Sequence, residues 1–332
     1  MRAMAMMTLV ALVVLPPVPA PAQPPPPPDP AAIWSIQGEN ASVTTSGLSD
    51  RDYTNGIRLG WASAEGGEPA FLDGVADKLW GGGARRIGVD FSQQIYTPTV
   101  SNAANPPLTE RPYAGVLLGT VSLIQDNAAT RSVLALALGV VGPAALGEQV
   151  QNGFHDLIGQ QHKYGWRTQL HNEPLLEITS ERSWRLPLGG AAGAQIDALP
   201  EITVALGTLR NAAQAGLTLR LGQGLDSDFG VARLRPGLTG TDVFFPTRDV
   251  AWYAFAGADA QAVASDVTLD GNTWEDGRGV SIRPLVAEFQ AGAALMIGGT
   301  RLTLAQVFQT QQYQHQKGGL HQFSSLALSL RF

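Results

Sequence analysis

The segment that most restricts this chain is its last one. In Ser325-Leu326-Ala327-Leu328-Ser329-Leu330-Arg331-Phe332, one set is Leu326, Leu328, Leu330 and Phe332, and the other is Ser325, Ala327, Ser329 and Arg331. Successive side chains of a β-strand point to opposite faces, so this order separates an apolar face from a polar one. A strand of a soluble sandwich alternates in the same way. A terminal strand closing on an aromatic carboxy-terminus, in a chain that also carries an export signal, fits a transmembrane barrel handed to the barrel-assembly machinery by that strand.

The same alternation recurs along the chain. Ile57, Leu59 and Trp61 alternate with Arg58, Gly60 and Ala62; Ile87, Val89 and Phe91 with Gly88, Asp90 and Ser92. Leu134, Leu136, Leu138 and Val140 alternate with small residues, and Leu217, Leu219 and Leu221 with Thr218, Arg220 and Gly222. Charges kept to one face suit an interior away from lipid, since a charge facing lipid costs about 2–4 kcal/mol at the midplane. The pattern predicts strands near 32–41, 54–63, 85–96, 113–124, 131–141, 175–183, 198–208, 214–222, 250–260, 285–297, 301–313 and 323–332. The expected fold is all-β: one transmembrane antiparallel β-barrel of about twelve strands, occupying 31–332, with a short helix in one loop.

The other end reads as a secretory signal over 1–22. Met1 and Arg2 start it, Met6 to Leu15 is apolar, and Ala20-Pro21-Ala22 is a small-residue cleavage site. That apolar run is shorter than the ~20 residues a spanning helix needs. Pro24 to Pro28 make a stiff leader over 23–30. Charges, glycines or prolines interrupt every later apolar run, which leaves no candidate transmembrane helix. The chain has no cysteine, so disulfides contribute nothing, and a net charge of −6 without a basic run gives nucleic acid no surface to bind.

One segment has a different period. From Glu148 to Gln161, Val150, Phe154, Leu157 and Ile158 recur at helical spacing. Glu148 lies in the first turn, where the helix dipole favours it, and His155 lies close to the apolar stripe. His155 is one of five histidines, with His162, His171, His315 and His321. No G-x-S-x-G elbow and no H-E-x-x-H motif occurs, so neither a serine triad nor a metalloprotease site has support. Two polar clusters remain, Glu39-Asn40 and Asp50-Arg51-Asp52-Tyr53-Thr54-Asn55-Gly56. Spacing alone leaves plain readings open: His155 as a packing contact, Asn55-Gly56 as a turn, Asp50-Arg51 as a surface ion pair.

Taken together, several blocks resemble the outer-membrane lipid A 3′-O-deacylase family. They are Glu39-Asn40, the Asp50–Gly56 cluster, Gln94-Ile95-Tyr96-Thr97-Pro98, Arg111-Pro112-Tyr113-Ala114-Gly115 and Gly139-Val140-Val141-Gly142-Pro143. Gly147 to Asn152, His155 to Gly159, Gly165-Trp166, Gln169-Leu170 and Asn172-Glu173-Pro174 follow in the family's order. The resemblance implies a twelve-stranded barrel in the bacterial outer membrane, acting on lipid A or lipopolysaccharide among the outer-membrane lipids. The implied reaction is hydrolysis of an ester-linked acyl chain, by water activated on a histidine with calcium polarising the carbonyl.

Carried across by position, His155 matches the general base. Thr54 matches the hydroxyl residue that holds the carbonyl or its oxyanion, and Asn40 a polar residue of the metal and substrate site. Arg51, Tyr53, Arg111 and Tyr113 are the expected substrate contacts, and Glu39, Asn40 and Glu173 the expected calcium ligands. Two positions depart from the pattern. Ala41 stands where the family usually has aspartate, and Gln161 where some relatives carry glutamate. Alanine has no donor and glutamine no charge, whereas hard cations rely on carboxylates. The competing reading is therefore an inactive barrel that binds lipopolysaccharide or is structural. A serine-histidine phospholipase ranks below both, and a porin is disfavoured because a lumen of about twelve strands is narrow.

Overall fold

The computed structural model describes residues 28–42, 51–232, 234 and 243–332. The signal expected over 1–22, most of the leader, and Asp50 of the expected Asp50-Arg51 ion pair lie outside the described residues. Among the described residues the strands are β1 (Ile33–Asn40), β2 (Asp52–Ala62), β3 (Ala84–Thr97), β4 (Ala114–Asp126), β5 (Thr130–Val141) and β6 (Glu173–Trp184). They continue with β7 (Leu186–Ala191), β8 (Ala194–Gly207), β9 (Arg210–Gln223), β10 (Val250–Asp266), β11 (Leu285–Ile297), β12 (Thr300–Gln309) and β13 (His321–Arg331). Every ladder is antiparallel. β1 pairs with β13, and β6 pairs with β8, so the sheet closes on itself.

β7 also pairs with β8, further along the same edge that β6 uses. β6 and β7 are thus one stave interrupted at Arg185, and the barrel has twelve staves. The twelve expected strands are these, each displaced by only a few residues. Asn55-Gly56 proves not to be a turn. It continues β2, and the irregularity sits one residue earlier, where Thr54 is the extra residue of a β-bulge between Tyr53 and Asn55.

Alternation sorts the wall as the terminal segment suggests. Trp34, Ile36, Ile57, Leu59, Phe91, Leu136, Leu138, Leu217, Leu219, Leu221, Leu302, Leu304, Leu326 and Leu328 all point outward and are exposed. Such an apolar belt around a whole barrel is compatible with lipid and not with water. No helix among the described residues is long and apolar enough to cross a membrane, so strands do the crossing. Trp34, Trp61, Trp184 and Trp252 all stand near the same rim, the one where β1 begins, as an interfacial aromatic girdle does.

The interior is filled. The segment between β9 and β10 turns back into the barrel, where Gln37 donates to the Ala232 carbonyl at 3.2 Å and Gln94 to that of Leu234 at 2.7 Å. Leu234 joins Tyr53, Tyr96, Val116, Leu175, Val307 and Phe323 in an apolar layer inside the wall. Nearer the girdle rim, Arg220 forms a two-pronged pair with Asp197 and a second pair with Asp228, whose other oxygen takes Arg301 at 2.8 Å. Buried charges of both signs therefore neutralise one another. The lumen is a packed core with an inserted strap, not a pore.

Among the described residues three α-helices lie in the connections: α1 (Ala70–Trp80), α2 (Gly147–Ile158) and α3 (Val267–Asp270). α1 follows β2 at the girdle rim, held there by Arg85 donating to Asp73 and Asp77. α2 is the helix expected over 148–161.

A candidate active site on the outer face of the wall

The position of α2 follows from strand parity. On β3, Phe91 points outward and is exposed, so Gln93, Ile95 and Thr97 also point outward, yet all three are buried. On β4, Leu117 points outward, so Gly115 does too. A side chain at Gly115 would meet the Gly147 backbone at 3.1 Å, and Gln93 donates to the Ala145 carbonyl at 2.6 Å. The start of α2 therefore rests on the outside of the barrel. Tyr113, Trp166 and Ile95 form a small apolar cluster beneath it, separate from the luminal layer.

Glycine at both contact points has a physical reason. A Cβ at Gly147 would come within 2.5 Å of the Trp166 ring and 3.0 Å of the Gly115 Cα. Only a bare backbone lets helix and wall approach so closely. Gly147, Gln151 and His155 are the buried residues of α2, four apart, and make one stripe against the barrel. Gln151 accepts from the Trp166 indole at 2.7 Å, which fixes the middle of the helix. The apolar stripe of Val150, Phe154, Leu157 and Ile158 does not pack on the barrel; all four are exposed.

His155 is buried, and its Nδ1 lies 2.8 Å from the Gln161 carbonyl. A carbonyl only accepts, so Nδ1 carries the proton, and in the neutral ring Nε2 keeps its lone pair. The carbonyl reaches this point because Gly159, at φ 69°, caps the helix and reverses the chain. Gln161 thus contributes its backbone, which no side-chain substitution removes. A β-branched residue at Gly159 would be strained in the left-handed region. In an assay of the acyl-ester hydrolysis that the family resemblance implies, Gly159→Val is expected to lower the rate by about tenfold or more through misplacement of the ring, with the thermal melting of the barrel unchanged. An equal rate would show that the cap does not set the ring.

Register carries the same outer row sideways. Asn40 pairs with Asn55, Asn55 with Ile95, and Ile95 with Gly115. Adjacent strands are ~4.8 Å apart, so Asn40 is about 14 Å from Gly115 along this row. α2 starts at Gly115 on β4 and also touches β3. Its eight-residue rise from Gly147 to His155 is about 12 Å, comparable with that span. Thr54 enters the row from its bulge, its hydroxyl 2.7 Å from that of the outward-facing Thr97. Asn40 accepts from the Ser42 amide at 2.6 Å, and Asn55 donates to the Glu39 carbonyl at 3.1 Å.

The wall divides the other expected site residues. Glu39, next to Asn40, points into the lumen, where one carboxylate oxygen accepts from Gln37 at 3.1 Å and the other has no hydrogen-bond partner. Tyr53 belongs to the luminal layer. Arg111 lies over the Tyr96 ring at 4.5 Å and donates to Thr268 at 2.9 Å, capping the lumen. Arg51 donates to the carbonyls of Lys317 at 2.6 Å and Gly318 at 2.9 Å, tying two loops together. Tyr113 is on the outer side, fully buried, and donates to the Ser101 carbonyl at 2.5 Å. Glu173 faces inward and accepts from Asn272 at 3.1 Å and the Thr273 amide at 2.7 Å.

The calcium donor set expected from Glu39, Asn40 and Glu173 does not converge. Asn40 is outside the wall, the two carboxylates are inside, and Glu173 is held by the connection between β10 and β11. Among the described residues no group of three or more His, Asp or Glu side chains is placed to hold a metal ion. Three residues escaped the sequence reading. Gln151 is legible as the partner of His155 at four-residue spacing, and Thr97 as the outward neighbour of the bulge. Lys163, buried with its ammonium 2.8 Å from Asn102, has no local signal.

Comparison with known proteins agrees with this architecture. The model of the family described as outer membrane protein LpxR matches residues 6–332. Among solved structures, LpxR from Salmonella typhimurium superposes with a TM-score of 0.76 at 20% identity, covering 90% of this chain and 100% of that one. The β-domain of the Bordetella autotransporter BrkA and the translocator domain of NalP from Neisseria meningitidis reach TM-scores of 0.41 and 0.39 at 11% and 10% identity. Each alignment covers 91% of this chain, with 98% of the BrkA domain and 87% of the NalP domain. A search of curated proteins gave no match. The chain is an outer-membrane β-barrel and belongs to the outer membrane protein LpxR family.

Proposed function

We propose that this barrel hydrolyses an ester-linked acyl chain of lipid A, with His155 Nε2 as the base that takes a proton from water. The observation that carries the reading is the Nδ1–Gln161 carbonyl bond, which leaves the other ring nitrogen basic. Longer loops of such barrels face outward, and here the 31-residue connection with α2, between β5 and β6, is at the rim opposite the girdle. This puts the slot in the leaflet that holds lipopolysaccharide. The Thr54 and Thr97 hydroxyls and the Asn40 and Asn55 side chains are the groups able to orient the ester and donate to its oxyanion. A water held between Nε2 and the carbonyl carbon loses its proton as it attacks. The imidazolium then protonates the leaving alkoxide.

No step is routed through calcium, because the described residues do not form its ligand shell. The test is mass spectrometry of lipid A after incubation with the folded protein, with and without a chelator. Loss of one acyl chain, equal in both, is expected. An unchanged lipid would overturn the reading in favour of an inactive scaffold, and a melting temperature that rises on adding calcium would contradict the metal-free site.

A further inference from the structure

α2 has three sides. At 100° per residue, Gly147, Gln151 and His155 occupy the side against the wall. Glu148, Asn152, Asp156 and Gln149 continue round from it in one direction. In the other direction, about a quarter turn from the wall stripe, Val150, Phe154 and Leu157 form an apolar flank with exposures of 41%, 53% and 81%, and Ile158 ends the helix in line with the wall stripe. A helix on a water-soluble surface turns such a flank to its core. Here the core side is already taken by polar residues.

The place of the helix identifies what covers the flank. α2 lies on the lipid-contact side of the wall and not over the lumen, since its contacts are with outward-facing positions of β3 and β4. Two residues along β4 from Gly115, ~7 Å, Leu117 points outward into the apolar belt, and the next outward position, Gly119, lies between Phe91 of β3 and Leu138 of β5. The flank therefore continues an apolar surface that is itself a membrane interface. We propose that α2 is an interfacial helix, its Val150, Phe154 and Leu157 flank immersed in the acyl chains of the outer leaflet and its Glu148–Asp156 side in water. The slot behind it then opens to lipid, and a membrane-embedded acyl ester reaches His155 sideways from the leaflet without leaving it. The proposal rests on the membrane placement of the barrel and not on the hydrolase reading.

The absence of cysteine makes the test direct. Leu157→Cys, Phe154→Cys and, on the water side, Gln149→Cys are labelled with bimane in the full chain, folded into phosphatidylethanolamine–phosphatidylglycerol vesicles. All three positions are exposed, so the substitutions spare the core. Emission at 157 and 154 is expected to be blue-shifted and quenched several-fold more by phospholipids spin-labelled on the acyl chain than by iodide, with the reverse at 149. Quenching of 157 and 154 by iodide alone would overturn the proposal. So would shielding from both quenchers, which would mean that protein covers the flank. No acyl hydrolysis is measured, so an inactive barrel leaves this result unaffected.

Discussion

Replacing His155 with alanine is expected to lower the rate of acyl-ester hydrolysis by about 10²–10⁴-fold, the usual contribution of a positioned general base. The change should fall on kcat, because the ring acts on water and not on the lipid's ground-state binding. Gly147, Gln151 and Trp166 hold α2 independently of His155, so melting of the barrel should move little. His155→Gln would keep a hydrogen-bonding side chain but no base, and should be as slow as alanine. A mutant within a few-fold of the parent would remove His155 from the chemistry.

The second large effect concerns the strap. Asp228 is buried, with one oxygen on Arg220 and the other on Arg301 and the Tyr253 hydroxyl, both at 2.8 Å. Asp228→Ala leaves two buried guanidiniums short of a partner. Breaking a buried pair from one side costs about 3–5 kcal/mol, and urea unfolding of the folded barrel should register that loss. The same carboxylate accepts the Gly230 amide at 3.1 Å, and so anchors the segment leading to Ala232 and Leu234. A change below about 1 kcal/mol, the range of an exposed pair, would mean that the lumen is wet enough to screen these charges.

These two sites differ in how far the sequence revealed them. The staves were legible because a wall between lipid and a filled interior must alternate, and Leu217-Thr218-Leu219-Arg220 records that demand residue by residue. The same rule, applied to Glu39-Asn40, separates the two: Asn40 shares parity with Trp34 and Ile36, Glu39 with Gln37. The expected pooling of Glu39 and Asn40 in one metal site overlooked that parity. The strap was not legible, because its entry into the lumen depends on carbonyls meeting Gln37 and Gln94, which no periodicity marks. The break at Arg185 was equally silent, since Leu186 to Ala191 are exposed throughout and show no apolar–polar alternation. α1 was missed although Phe71, Leu72, Val75 and Leu79 hold helical spacing; its fixing partner Arg85 lies outside the segment.

Histidine on a loop helix was visible from the start, and which way the helix faces was not. An apolar stripe usually marks the packed side of a helix, because water is the alternative. Beside a membrane the alternative is lipid, so the polar stripe of Gly147, Gln151 and His155 takes the wall.

In the proposed reaction the outer face of the wall, and not the lumen, is the reactive one. Asn40 and Glu39 are adjacent in sequence and lie on opposite sides of it, so their isosteric or smallest variants provide the most direct measurement. Initial rates of acyl release from membrane-embedded lipid A should fall about tenfold or more for Asn40→Ala, as for loss of an orienting or oxyanion group, and stay within a few-fold of the parent for Glu39→Gln. A loss confined to Glu39→Gln, or equal in both, would contradict it.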